Sequence, residues 1–169
     1  MTILESFEKL DYSEALESSS EAQSWLEKNN RRFGQFINGQ FVNHKDATLI
    51  PSLDPSNGEL LSHIETASNS QLDDAVNAAR KAQPGWQSLG GHGRAKVLYA
   101  LARLLQKNSR LIAVLETLDN GKPIRESRDI DIPLAIRHFY HHAGWAQLQD
   151  KEFSSYESIG VVAQIVPWN

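Results

Sequence analysis

Three observations predict an α/β fold. Seven of the eight residues from Ile159 to Val166 are aliphatic or glycine, the pattern of a strand buried on both faces in a parallel sheet. Two turn-bounded β segments fall between Arg32 and Leu61. Between them and the final run, apolar residues recur at helical spacing in four successive stretches.

The first 31 residues read as a polar extension and residues 32–169 as the folded part. Within the extension, Ser20–Lys28 predicts a short helix with Ala22, Trp25 and Leu26 on one side. The extension as a whole reads as solvated, with one docking turn.

In Phe36-Ile37-Asn38-Gly39-Gln40-Phe41-Val42, an Asn-Gly dipeptide separates two short apolar runs, a hairpin signal. Thr48-Leu49-Ile50 then leads to Asp54-Pro55-Ser56-Asn57-Gly58-Glu59. Asp-Pro and Asn-Gly mark a turn there before Leu60–Ile64 resumes an extended pattern.

Ser70 is the expected cap of the next helix, with Leu72, Ala75, Val76 and Ala79 as its buried face and Pro84-Gly85 as its stop. A second helix is expected from Arg94 to Lys107. A third runs from Ser109 to Leu118, closed by Asn120-Gly121-Lys122-Pro123, where glycine permits a left-handed cap and proline forbids continuation. A fourth is expected from Asp131 to Ala146. The last strand should stop at Pro167, which cannot donate to a sheet ladder. Ligands of open α/β sheets bind beyond strand carboxyl ends, so Trp168 and Asn169 would face a crevice. A parallel strand without neighbours would leave its backbone groups unpaired.

Composition narrows the function. The chain has 169 residues, 40% hydrophobic and 22% charged, with net charge −4. That is ordinary for a globular domain, and the absence of a basic block argues against nucleic acid as a partner. No apolar run reaches the roughly 18 residues of a membrane span. The start, Met1-Thr2-Ile3-Leu4-Glu5, lacks a signal peptide's basic opening and apolar core, so the expected location is cytoplasmic. There is no cysteine, which removes disulfides, thiolate metal sites and a thiol nucleophile from this stretch.

Two clusters need weighing. Gly90-Gly91-His92-Gly93 follows no strand, so it reads as a flexible connector rather than a phosphate cradle. His138, His141 and His142 fall at i, i+3 and i+4, a spacing that can bring two imidazoles to one metal. Solvent-facing or packing histidines are the plainer reading.

Several of these stretches, in this order, resemble the N-terminal part of the NAD(P)-dependent aldehyde dehydrogenase superfamily. They are Phe36-Ile37-Asn38-Gly39 with Phe41-Val42, Asp54-Pro55 with Gly58-Glu59, Glu116–Pro123, Tyr140–Ala146 and Gly160–Asn169. The Glu-Thr-Leu-Asp-Asn-Gly-Lys-Pro stretch matches the family motif at every position. The resemblance implies N-terminal β segments, helices and the first strand of a Rossmann-like cofactor-binding sheet. It implies NAD or NADP lying along Ile165, Val166, Pro167 and Trp168, and the Asn169 amide in the oxyanion hole of an aldehyde substrate. In some members the aspartate equivalent to Asp119 lines a monovalent-cation site together with a main-chain carbonyl, here near Leu53; a turn-stabilising carboxylate is the alternative for Asp119.

The resemblance departs between Gly144-Trp145-Ala146 and Gly160-Val161. Only Gln147 to Ser158 intervene where the family has a longer β excursion that serves subunit pairing, which leaves a homo-oligomer open. The family's catalytic cysteine, general-base glutamate and Gly-x-Thr-x-x-Gly turn would follow Asn169. The expectation is therefore an N-terminal segment, truncated and inactive alone. A non-enzymatic helical scaffold and a histidine-based metal-binding domain are the alternatives.

Overall fold

The structure is a computed structural model that describes residues 17–166. Helix α1, Ser20–Lys28, buries Ala22 and Leu26. Trp25 on the same side stacks on Phe33, with ring centroids 5.4 Å apart. Strand β1 is Arg32–Phe33. Strands β2, Gln35–Ile37, and β3, Gln40–Val42, form the expected antiparallel hairpin. Its turn puts Asn38 at φ 51° and Gly39 at φ 78°, the two left-handed positions of a type I′ turn and the reason Asn-Gly suits it.

Strands β4, Leu49–Leu53, and β5, Leu60–Glu65, pair antiparallel with a register shift at Ser52/Leu53. β1 adds to β5 in parallel, giving the order β1-β5-β4. Nothing in a two-residue strand announces that pairing in the sequence.

Helix α2 runs Asn69–Ser88. Its cap is Ser68, not Ser70: Ser68 Oγ accepts from the Gln71 N–H and Gln71 Oε1 accepts from the Ser68 N–H. This reciprocal capping box outcompetes a lone serine two residues on. The helix also passes through Pro84. A proline removes one helical hydrogen bond, here to the carbonyl of exposed Arg80, where water can replace it. The expected buried face is only partly covered: Ala75 and Val76 are half-buried, while Leu72 and Ala79 are exposed. Periodicity identified an apolar stripe, but no described element lies across all of it.

Helix α3, Gly90–Lys107, takes in the whole glycine cluster, which is helical rather than a flexible connector. The reason is close packing. α3 lies along α6, Ile132–Glu152, through Gly91, Ala95 and Ala102 on one side and Ala143 on the other, all buried. A Cβ on Gly91 would stand 2.4 Å from the Ala146 carbonyl oxygen, so a larger residue cannot sit at that crossing. Val97, Leu101 and Leu104 face away and are exposed.

Helix α4, Ser109–Asn120, ends as expected on Gly121 at φ 82°. A three-residue turn of helix α5, Ile124–Glu126, and a π turn, Ser127–Asp131, lead into α6. α6 carries Pro133 in its first turn, where the missing N–H is harmless. It runs past Ala146 to Glu152, and Trp145 anchors the chain beyond it by packing on Phe153.

The run from Ile159 to Val166 corrects the expectation of a strand buried on both faces. It is extended but pairs with no described strand, and Ile165 is fully exposed. A parallel strand depends on neighbours brought by crossover connections, and β1–β5 are committed to their own two sheets. Just before the run, Gln83 Nε2 on α2 donates to Ser158 Oγ at 3.1 Å, and the Gln83 side chain lies beside Gly160.

Candidate functional site

The stretch Glu116–Pro123 ties the two halves of the fold together. Four of its side chains, those of Glu116, Thr117, Asp119 and Lys122, have partners outside or across the stretch. Glu116 and Lys122 form an ion pair at 3.5 Å, and Lys122 Nζ donates to Asp131 at 2.8 Å. The Asp131 carboxylate, with Glu116 in support, raises the Lys122 pKa above its ordinary range. Thr117 Oγ1 donates to Ser127 Oγ at 3.0 Å, which satisfies a hydroxyl buried in the π turn. Asp119 accepts a short hydrogen bond from the Ser52 hydroxyl on β4.

The Asp54–Gly58 turn meets this stretch from the other side. The Ser56 hydroxyl and backbone N–H both donate to Asp54 Oδ1, at 2.6 and 2.8 Å. These bonds hold the buried Asp54 carboxyl below the usual range, hydroxyl first. Pro55, the next residue, lies against Gly121. The two motifs are therefore one knot of turns, built from residues more than 60 positions apart in sequence.

Beside the knot lies a cavity of about 320 Å³ between α1, α4 and the β4-β5 sheet. Trp25, Leu26, Phe33 and Leu118 supply its apolar lining, and Ser52 and Asp119 its polar edge. Asp119 thus presents carboxylate oxygen beside Ser52, the residue before Leu53. Such hard oxygen donors suit a hard cation or a hydroxyl donor.

The other predicted site residues stand apart from this knot. Ile165 and Val166 are on the exposed terminal run. Pro167, Trp168 and Asn169 lie outside the described residues. The histidines of α6 are engaged locally. His141 Nε2 accepts from Trp145 Nε1 at 2.9 Å, and His142 Nδ1 lies 2.8 Å from the His138 carbonyl, to which it must donate. Among the described residues no group of three or more His, Cys, Asp or Glu is arranged to hold a metal.

The N-terminus of α3 is also taken. The Gly91 N–H points at Asp150 Oδ2, 3.4 Å away, so a carboxylate already occupies the place a phosphate would need.

Sequence reading missed two polar sites. Glu65, almost fully buried at the end of β5, accepts from the His44 backbone N–H at 2.8 Å and from Arg32 Nε. Glu17 pairs with Arg128 of the π turn. Neither has a local signal, since each joins residues distant in the chain. The capping Ser68 was missed as well, in favour of Ser70, although its Ser-x-x-Gln spacing is a local signal that could have found it.

No described helix is long and apolar enough to cross a membrane. Comparison with known proteins agrees with the order of motifs. The sequence model of the aldehyde dehydrogenase family matches residues 41–169. An aldehyde dehydrogenase of Agaricus bisporus is 39% identical over 148 residues, covering 80% of this chain and 30% of that protein. Aldehyde dehydrogenase B of Escherichia coli is 37% identical over 148 residues, covering 82% and 29%.

Among solved structures, the NAD⁺ complex of aldehyde dehydrogenase from Bacillus cereus matches with a TM-score of 0.69 at 31% identity, covering 76% of this chain and 26% of that one. PnpE in complex with nicotinamide adenine dinucleotide matches with a TM-score of 0.65 at 35% identity, covering 68% and 24%. The chain spans about 30% of the length of the curated relatives it matches. Agreement in motif order, sequence and fold over most of its residues makes this chain a member of the aldehyde dehydrogenase family.

Proposed function

We propose that this chain forms the N-terminal part of an NAD(P)-dependent aldehyde dehydrogenase that oxidises an aldehyde to a carboxylic acid. The observation that supports the reading is the family match over residues 41–169, which takes in Pro167, Trp168 and Asn169. NAD is the favoured nucleotide, because solved structures similar to this chain are complexes with it. When bound, the nucleotide would supply the acceptor for a hydride from the substrate carbon.

This chain's residues bind and orient. Ile165, Val166 and Pro167 form an apolar floor for the nucleotide, and Trp168 walls the crevice. Asn169 donates its amide N–H to the aldehyde oxygen, where negative charge develops on attack. The attacking thiolate comes from outside residues 1–169, which hold no cysteine. Asp119, oriented by Ser52, offers a carboxylate oxygen to a monovalent cation at the turn knot and so steadies the motif rather than the reacting atoms.

A chimera tests this reading. Residues 41–169 replace the matching part of an aldehyde dehydrogenase that carries the family cysteine. The expected result is aldehyde-dependent reduction of NAD⁺, with no such activity from the 169-residue chain alone. A folded chimera that neither binds nicotinamide nucleotide nor oxidises aldehyde would overturn it.

A further inference from the structure

The segment Glu17–Asn30 lies before the span matched by the family model, which starts at residue 41, yet it is fastened to the fold at both ends. Its apolar footing is thin: Ala22 and Leu26 are buried, while Trp25 is 36% exposed. Arginines complete the fastening. At the C-terminal end, Arg31 Nη1 donates to the Leu61 carbonyl at 2.9 Å and Nη2 to Gln23 Oε1 at 2.8 Å. At the N-terminal end, Glu17 Oε1 lies 2.7 Å from Arg128 Nη1 and 4.0 Å from Arg110 Nη2.

The Glu17 side chain is only 9% exposed, unusual for a carboxylate so near the edge of a fold. Burial at that level is tolerated when the charge is paired and hydrogen-bonded.

We propose that Glu17–Asn30 is a releasable strap over α4, and that the Glu17–Arg128 ion pair is its catch. Beneath the strap, Trp25 and Leu26 form one wall of the 320 Å³ cavity whose other walls include Leu61 and Leu118. Opening the strap would uncover that apolar surface. The catch also reaches the π turn. Asp129 holds the other edge of the Arg128 guanidinium through Nε and Nη2, at 2.7 and 2.8 Å, so Arg128 is clamped between two carboxylates.

The charged groups facing Glu17 are Arg128 and Arg110, with Asp129 beyond Arg128. Arg128 keeps the Glu17 carboxyl below its ordinary range, so the catch stays charged at neutral pH. Ionic strength is therefore its lever.

Hydrogen exchange on the whole chain reads the strap directly, because local opening sets amide protection. Exchange of the Ser20–Lys28 amides is expected to rise about three- to tenfold in Glu17→Gln, with Ala95–Ala102 in α3 unchanged. Raising salt from roughly 0.02 to 0.5 M shortens the screening length from about 20 to about 4 Å. In the parent chain it should speed α1 exchange in the same direction, and Glu17→Gln should have lost most of that response. Arg128→Gln should match Glu17→Gln, and the double variant should add little to either.

Two outcomes would overturn the proposal. In one, α1 protection is indifferent to both salt and Glu17→Gln. In the other, α3 opens in parallel with α1, so the whole fold is loosened. The salt series on the parent chain decides the matter even where a variant fails to fold.

Discussion

A Cβ built on Gly121 would stand 2.7 Å from Cγ of Pro55. The glycine closes α4 and the proline opens the Asp54–Gly58 turn, so this contact joins two sequence motifs in one knot. Two demands coincide at Gly121: its φ of 82° disfavours any L side chain, and there is no room for one. Gly121→Ala should therefore cost about 1–3 kcal/mol, from left-handed strain plus overpacking. Thermal unfolding would show a melting point lower by roughly 2–4 °C for each kcal/mol lost. An unchanged melting point would mean that the knot gives way easily.

Gly91 makes the same kind of demand between helices. Its hypothetical Cβ meets the Ala146 carbonyl oxygen at 2.4 Å, and backbone cannot swing aside as a side chain can. Gly91→Ala should separate α3 from α6 at a cost of about 1–3 kcal/mol. Gly144 on α6 is the control, since nothing lies within 4 Å of its Cβ position. Gly144→Ala should stabilise by about 0.5–1 kcal/mol through the lower entropy of the unfolded chain. Opposite signs in denaturant unfolding are the expected result.

The two glycines show what was legible in the sequence. At Gly121 the neighbours Asn120 and Pro123 give a local cap signal, and the structure has that cap. At Gly91 the surrounding glycines look like a loop, because close helix crossing is a property of two segments about 55 residues apart. Turn chemistry at Asn38-Gly39 was readable for the same local reason as Gly121. The β1–β5 pairing, the π turn and the burial of Glu65 were not, because each depends on distant partners. Leu72 and Ile165 mark another limit. Periodicity and β-branching say which residues prefer burial, not which element covers them, and among the described residues both are exposed.

Ser68 begins α2 with a hydroxyl that accepts from the Gln71 N–H at 3.2 Å. Ser68→Ala leaves that donor to water and should cost about 1 kcal/mol. Ser70→Ala, at the serine expected to cap the helix from the sequence, should cost only a few tenths. Comparing the two variants by helix content and unfolding midpoint checks the assignment. Equal effects would return the cap to either serine.

Glu65 carries a pH dependence whose sign follows from its partners. The His44 backbone N–H, followed by Arg32, holds its carboxyl below the ordinary glutamate range. A carboxylate with a depressed folded pKa contributes stability that is full above the unfolded value, about 4.3, and lost as pH falls through the folded value. Glu65→Gln should remove that contribution: less stable than the parent at pH 7, with the difference shrinking as pH falls below about 4. Asp54, Glu17 and Asp129 are also depressed, so the parent-minus-variant difference is the quantity to follow. A difference that stays constant from pH 7 to pH 3 would mean that packing, not charge, makes Glu65 matter.

Asn169 lies outside the described residues, and its expected effect comes from the proposed chemistry. Negative charge grows on the aldehyde oxygen as the thiolate attacks, and a fixed amide donor stabilises that charge more than it does the ground-state carbonyl. Removing one such donor typically costs about 2.7–4 kcal/mol of transition-state stabilisation, roughly a 10²–10³-fold loss in kcat. In the active chimera, Asn169→Ala should therefore lower kcat with little change in KM for the aldehyde, because the interaction strengthens only in the transition state. Trp168→Ala should do the reverse and raise the KM for the nucleotide, since its role is the shape of the crevice. Single-turnover measurement isolates the chemical step from product release. A chemical step as fast in Asn169→Ala as in the parent chimera would remove Asn169 from the oxyanion hole and leave it a polar residue that ends the chain's last apolar run.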